Sequence, residues 1–265
     1  MTNISVKENT HFVRKIGFAG IELIILIFLF LSYICDCSRP IQPKSDYITL
    51  ELGEVTYIRY FDVMDKVVFE GTEAIRLADL IDSAITDYPS IYAYRIIGSD
   101  GFYAAKKGSP DNVWEHMQNG YLKLDTRRVA FEPSLGLEGR YYVKDVVSID
   151  LLRKIDTRFS SEETSRFFLV EELNATTYPD STDAFFSGRL GIKLSDFIDT
   201  SITCTPEDYS FTLNSVEGEK ITLSWAEIQT GWWLLGLDLT KFFPDLGDDS
   251  RISRLQAIEL TPISK

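Results

Sequence analysis

The stretch FEGTEAIRLADLIDSAI, residues 69–85, returns 117 positions later as FSGRLGIKLSDFIDTSI, residues 186–202. The two align without a gap. Phe69/Phe186, Gly71/Gly188, Ile75/Ile192, Leu77/Leu194, Asp79/Asp196, Ile81/Ile198, Asp82/Asp199 and Ile85/Ile202 are identical. The match runs on through Thr86/Thr203, Pro89/Pro206 and Tyr92/Tyr209 to Gly101/Gly218, giving 12 identities in 33 positions. At an offset of 111, Trp114–Gly136 overlays Trp225–Gly247, with Gly120/Gly231, Phe131/Phe242 and Gly136/Gly247 among the identities. A two-residue deletion then sets VVSIDL (146–151) over LQAIEL (255–260). A period above 100 residues is too long for a solenoid repeat and suits a duplicated domain.

The chain of 265 residues has room for two such domains, and its 45% apolar content can fill a core in each. The formal net charge is −13; residues 1–45 contribute +2, so the rest carries −15. That field repels a phosphate backbone, which argues against nucleic acid as a partner.

Ile16 to Cys35 is a run of about 20 mostly apolar residues, long enough to cross a bilayer as a helix. Arg14 and Lys15 precede it, which by the positive-inside rule leaves residues 1–15 as a cytoplasmic tail and everything after 36 outside. The expected location is therefore the cell membrane, crossed once through residues 16–35, with extracytoplasmic folded domains. A cleaved signal peptide or a lipid anchor at Cys35 are the other readings of this segment. Residues 36–46 are polar with two prolines and read as a tether. Cys35, Cys37 and Cys204 form no disulfide framework and no zinc spacing. Asn174-Ala175-Thr176 is a glycosylation sequon, meaningful only in a host that uses it.

The first copy is expected over 47–151 and the second over 166–262, with the charged, Ser-rich segment 152–165 as linker. Tyr47 to Gly71 has β-branched and aromatic runs broken at Gly53 and Asp62, which predicts two or three strands. Leu77, Leu80, Ile81 and Ala84 recur at helical spacing and predict a short amphipathic helix, repeated at Leu194, Phe197, Ile198 and Ser201. Alternation over Tyr209–Asn214 predicts a half-buried strand, and Asp100-Gly101 and Glu217-Gly218 predict turns. A second short helix follows in each copy. Ser224-Trp225-Ala226-Glu227 has capping-box spacing, with Gly231 as a left-handed C-terminal stop; Asp111 or Asn112 and Gly120 are expected to do the same in the first copy. Each copy reads as an α+β domain.

In order and spacing, one copy resembles the molybdopterin-binding domain of the sulfite oxidase family. The carriers are Ile75-Arg76-Leu77-Ala78-Asp79-Leu80-Ile81, Ser99-Asp100-Gly101-Phe102, Thr126-Arg127-Arg128-Val129 and Tyr142-Val143-Lys144-Asp145-Val146 with Ser148-Ile149-Asp150-Leu151. The resemblance covers roughly residues 69–151 and, more faintly, 186–260. It implies two tandem sulfite-oxidase-like mixed α/β domains. The family holds its metal through a cysteine thiolate just upstream of the Gly-x-x-Leu helix. Tyr47–Ala74 and Arg166–Gly191 contain no cysteine. The resemblance thus implies the fold without the chemistry, and no cofactor is expected. The alternative is a molybdopterin-dependent oxidoreductase with a thiolate-free site.

Arg127, Arg128, Arg140 and Lys144 lie where the resemblance puts anion-binding strands, and the second copy keeps Arg251 and offers Arg254. These are the candidate contacts to a small anionic ligand. His116 reads as a surface histidine and the Asp79/Asp82 and Asp196/Asp199 pairs as solvated helix faces; a triad or a divalent-cation site is the sharper version of each. Trp232-Trp233 and Tyr141-Tyr142 read as core residues. The expectation is a membrane-anchored, extracytoplasmic, non-catalytic binding or assembly module, with a protein partner or a small anionic ligand.

Overall fold

Tyr47–Leu52 (β1) and Val55–Tyr60 (β2) form a hairpin, closed at Gly53 with φ 59°. Ile48 and Leu50 alternate inward and are fully buried, which is what fixes the register of a one-faced strand. In a computed structural model the described residues are 46–161, 166–179, 182, 184–198 and 202–263. The tail, the apolar run 16–35 and most of the tether lie outside them. Among the described residues no helix is long and apolar enough to cross a membrane.

The fold is mixed α/β and strand-rich. After the hairpin come Val67–Phe69 (β3), Thr72–Arg76 (β4), Tyr92–Gly98 (β5), the helix Trp114–Gln118 (α1), Gly120–Lys123 (β6), Arg128–Phe131 (β7) and the long strand Val146–Phe159 (β8). Then follow Arg166–Leu169 (β9), Thr176–Thr177 (β10), Leu190–Lys193 (β11), Tyr209–Ser215 (β12), Lys220–Leu223 (β13), the helix Trp225–Ile228 (α2), Gly231–Leu234 (β14), Leu239–Phe242 (β15) and Leu255–Pro262 (β16). Among the described residues the strands make three sheets. One of eight strands has the path β13-β12-β16-β8-β1-β2, with β5 and β9 also on β8; the four-stranded sheets are β3-β4-β6-β7 and β10-β11-β14-β15.

The pairings occur twice in the same register. β5 pairs β8 with Ile96 opposite Ile149 and a register shift at Ile97/Gly98; β12 pairs β16 with Leu213 opposite Ile258 and a shift at Asn214/Ser215. Ile75 faces Leu122 across β4 and β6, and Ile192 faces Trp233 across β11 and β14. β1 runs parallel to β8 from Thr49↔Ser148 to Leu52↔Leu151. The second half of β8 runs parallel to β16 from Asp156↔Ala257 to Phe159↔Leu260, and β9 flanks it as β2 flanks β1.

Strand β8 is therefore the last strand of one set and the first of the next. The segment expected as a linker, 152–165, is strand as far as Phe159. Its charges hid the alternation: Ile155 and Thr157 point inward, and Lys154 is buried by pairing with Asp156 at 2.6 Å. Two main cores lie on either side of this strand, one around Leu50, Leu77, Tyr94 and Ile149, the other around Ile155, Leu194, Phe211 and Ile258. Tyr47–Lys265 is nevertheless one compact unit.

The expected amphipathic helices shrink to single 3-10 turns, Ala78–Leu80 and Leu194–Phe197. Of the expected stripe Leu77, Leu80 and Ile81 are buried but Ala84 is exposed, because one turn and an Asx-type bend at Asp82 carry the chain away and bring Ile85 inward instead. In α1 the cap is Val113 with no side-chain bond, not Asp111 or Asn112. Gly120 and Gly231 do not stop a helix in the left-handed region; each opens a strand. They are glycine because a Cβ would stand 2.7 Å from Leu77 Cδ1 in the first case and 2.5 Å from Leu194 Cδ1 in the second.

The capping box of α2 is present: the Ser224 hydroxyl accepts from the Glu227 amide, and Glu227 Oε2 accepts from the Ser224 amide at 2.7 Å. That backbone bond, helped by the Ser224 hydroxyl, holds the Glu227 carboxyl below its ordinary value. Its stabilisation is present above the unfolded pKa and lost as pH falls through the lowered folded one. Ser224→Ala should cost about 1 kcal/mol, read by urea denaturation, while the Glu227 carboxyl stays lowered because alanine keeps the backbone donor.

Candidate functional site

The two sets of strands differ in length beside the turn after β5. Between Gly101 and Trp114 the first set has twelve residues; between Gly218 and Trp225 the second has six. The second set spends its six on β13, hairpinned to β12. The first keeps only a trace of that hairpin. Tyr94 and Asn112 exchange backbone hydrogen bonds at 2.7 and 3.0 Å, the counterpart of the Phe211↔Leu223 pair. The remaining residues bow outward, with a 3-10 turn at Ala105–Lys107 and Gly108 at φ 86°.

That bow faces β9. Between them is a cleft of about 470 Å³, lined by Ala105, Ser109, Pro110 and Asp111 on one wall and by Arg166, Phe167, Leu169 and Glu172 on the other. The volume is that of a ligand site, and the lining mixes apolar surface with few polar groups, as such sites do. The first wall is fixed from below. Asp111 is 3% exposed and takes both arms of Arg95, Nε to Oδ1 at 3.2 Å and Nη2 to Oδ2 at 2.8 Å. Arg95 in turn lies 4.9 Å over the Tyr103 ring. The His116 ring nitrogen Nδ1 sits 3.2 Å from Asn112 Oδ1, and the ring stands edge-on to Phe131 and Tyr141. His116 is thus half-buried rather than a surface histidine, and burial lowers its pKa against the weaker opposing pull of Glu115.

Carboxylates dominate the electrostatics. Burial raises the Asp150 pKa, with Arg95 opposing. Glu171 is exposed as a residue, yet partial burial of its carboxyl raises its pKa, against hydrogen bonds from the amides of Glu171 and Arg153. Both carboxylates interact with Arg95, which already serves Asp111.

The six cations named from the sequence have different partners. Arg127 is 4% exposed and donates to the carbonyls of Tyr47 and Val146 at 3.0 and 2.7 Å, with Phe61 beneath it. Arg128 is exposed over Tyr142, and Lys144 is exposed. Arg140 pairs with Glu138 and donates to the Lys107 carbonyl. Arg251 reaches Asp245 at 3.5 Å, and Arg254 pairs with Glu217 and donates to the Tyr88 hydroxyl. None of the six lines the cleft. Arg95, Asp111, Phe167 and Glu172 were not read as site residues; the available signal was the drop in repeat offset from 117 to 111.

The family resemblance raises the question of a metal–pterin centre. Its thiolate has no donor here: among the described residues Cys204 is the free cysteine, exposed and beyond the 3-10 turn at 194–197. Among the described residues no group of three His, Cys, Asp or Glu is placed to hold a metal ion. The residues present do not fit that centre, and no step is derived through it.

The chain matches no family model, no curated protein and no solved structure. Its reading rests on its own residues.

Proposed function

We propose that the chain is a membrane-anchored, extracytoplasmic binding or assembly module, built by tandem duplication of one α+β unit of sulfite-oxidase-like descent, and that it engages a protein partner in the cleft between the bow at 102–111 and β9. The observation that carries the reading is the length difference. The six-residue excess of the first repeat over the second between the Gly101 and Trp114 positions, the larger of the two length differences between the repeats, falls at the cleft wall. A structural scaffold has no need of that bow, because β13 shows that six residues close the same position as a hairpin.

The apolar run 16–35 supports the anchor, and the −15 charge beyond residue 45 supports a soluble exterior for the rest. The engagement of Arg127, Arg140, Arg251 and Arg254 with groups of the chain itself weighs against a small anion as the principal ligand.

The test is affinity purification of the tagged full-length chain from native membranes, beside an Ala105→Trp variant that fills the cleft. A co-purifying protein present with wild type and lost with the variant, at an unchanged melting temperature, is expected. Retention of every partner by the filled cleft, or stoichiometric molybdenum in the native protein, would overturn the reading.

A further inference from the structure

The cleft has a second property that narrows what it takes. Among the described residues β9 pairs with β8 alone, so its other edge carries backbone donors and acceptors without a strand neighbour. Arg166, Phe167 and Leu169 of this strand line the cleft. Resting on the binding-module reading, we infer that the occupant is an extended peptide that adds as a strand along β9 and carries a lysine or arginine side chain toward the carboxylates of the opposite wall and rim.

Strand addition uses main-chain hydrogen bonds for affinity and side-chain pockets on alternate residues for specificity. The four residues of β9 offer about 13 Å of edge at about 3.3 Å per residue. The side-chain surface beside that edge is apolar at Phe167, Leu169, Pro110 and Ala105. Charge decides the rest. Asp111 and Glu172 line the cleft, and Asp150 and Glu171 are within electrostatic reach of the Arg95 guanidinium that pairs with Asp111. Counting Arg166 on the cleft wall, two guanidiniums stand against four carboxylates, and the net negative charge attracts a further cation from a partner. Arg166 is already engaged within the chain.

Among the described residues edge strand β2 is the counterpart of β9 and is also open, but it does not line the cleft described above. Its Arg59 is held inward by the Leu80 carbonyl and Asp82. The inference is confined to β9, whose residues line the cleft.

The test uses the full-length chain in lipid nanodiscs and, as probe, a phage-displayed library of random heptapeptides, counter-selected on empty nanodiscs. The expected result is enrichment of sequences with alternating apolar residues and at least one lysine or arginine. A synthetic copy of the enriched peptide should bind Glu172→Lys about tenfold more weakly than wild type. Glu172 is exposed at the rim, so this variant keeps the fold; Glu172→Gln should fall between the two. Enrichment without a basic residue, binding indifferent to Glu172→Lys, or no enrichment would each overturn the peptide inference. So would a concentration-dependent dimer abolished by Glu172→Lys, which would put a second copy of the chain in the cleft. Loss of a co-purifying protein from the Ala105→Trp variant would still stand in any of those cases, which separates failure of this inference from failure of the binding module.

Discussion

Arg153→Ala on strand β8 should lower stability by about 3 kcal/mol, the upper end for stripping buried acceptors of their donor. Arg153 sits where the strand passes from one core to the other. Its Nη1 donates to the carbonyls of Lys154 at 2.5 Å and Ile91 at 3.3 Å. Its Nη2 donates to Leu255 O at 2.6 Å and to Asp238 Oδ1 at 3.1 Å. The guanidinium lies 5.2 Å over Trp233. Ile91 precedes β5 in the first set of strands; Asp238 and Leu255 belong to the second. One side chain therefore ties carbonyls of both. Most of the loss comes from carbonyls left without a donor, since Asp238 is one-third exposed and its ion pair is screened. For a unit of this size the fall in melting temperature is on the order of 10 °C, measured by calorimetry. Arg153→Met should lose less, because it keeps the stem on Trp233.

The second large effect is at the repeated glycines. Gly231→Ala places a Cβ 2.5 Å from Leu194 Cδ1 and 2.7 Å from Phe242 Cε1. Both neighbours are fully buried, so neither can swing out. Gly120→Ala meets Leu77 Cδ1 at 2.7 Å, the His116 carbonyl oxygen at 2.8 Å and Phe131 Cε1 at 2.8 Å. Overpacking of this kind costs about 1–3 kcal/mol, and Gly120→Ala belongs at the upper end because a backbone oxygen cannot repack. Urea denaturation measures it. A Gly231→Ala, Leu194→Ala double variant should lose less than the sum of the singles, since the second change removes the atom the first one strikes. Additive losses would contradict the packing described.

These glycines also show what the sequence could and could not tell. Gly120/Gly231, Leu77/Leu194 and Phe131/Phe242 are visible as repeated identities, and in three dimensions they are one contact made twice. The repeat was legible because duplicated packing preserves the residues that touch. Why each glycine is there was not legible, because a helix stop and a crowded strand start select the same residue. The short amphipathic helices were over-read for a related reason. Apolar residues at helical spacing fit a single 3-10 turn as well as an α-helix when the neighbouring core is close. The linker was misjudged because Lys154, Asp156 and Arg158 each find a partner, so a buried strand looked like a polar tether.

The site was less legible than the fold. The cationic positions carried over from the family resemblance go to separate local duties, with Arg127 buried on carbonyls. The cleft depends on what two distant segments do to each other, 105–111 and 166–172, and neither has a motif. Only the extra length of the first segment over its repeat counterpart marks the place.

The most direct measurement is site-specific photo-crosslinking in native membranes. A benzophenone amino acid would be placed at Glu172 on the cleft rim and, separately, at Ile58 on the open edge of β2, which is 49% exposed. The account predicts a discrete protein adduct from the Glu172 position and none from Ile58, with the Glu172 adduct lost when Ala105→Trp fills the cleft. An adduct from Ile58 alone, or one from Glu172 that survives the filled cleft, would contradict it.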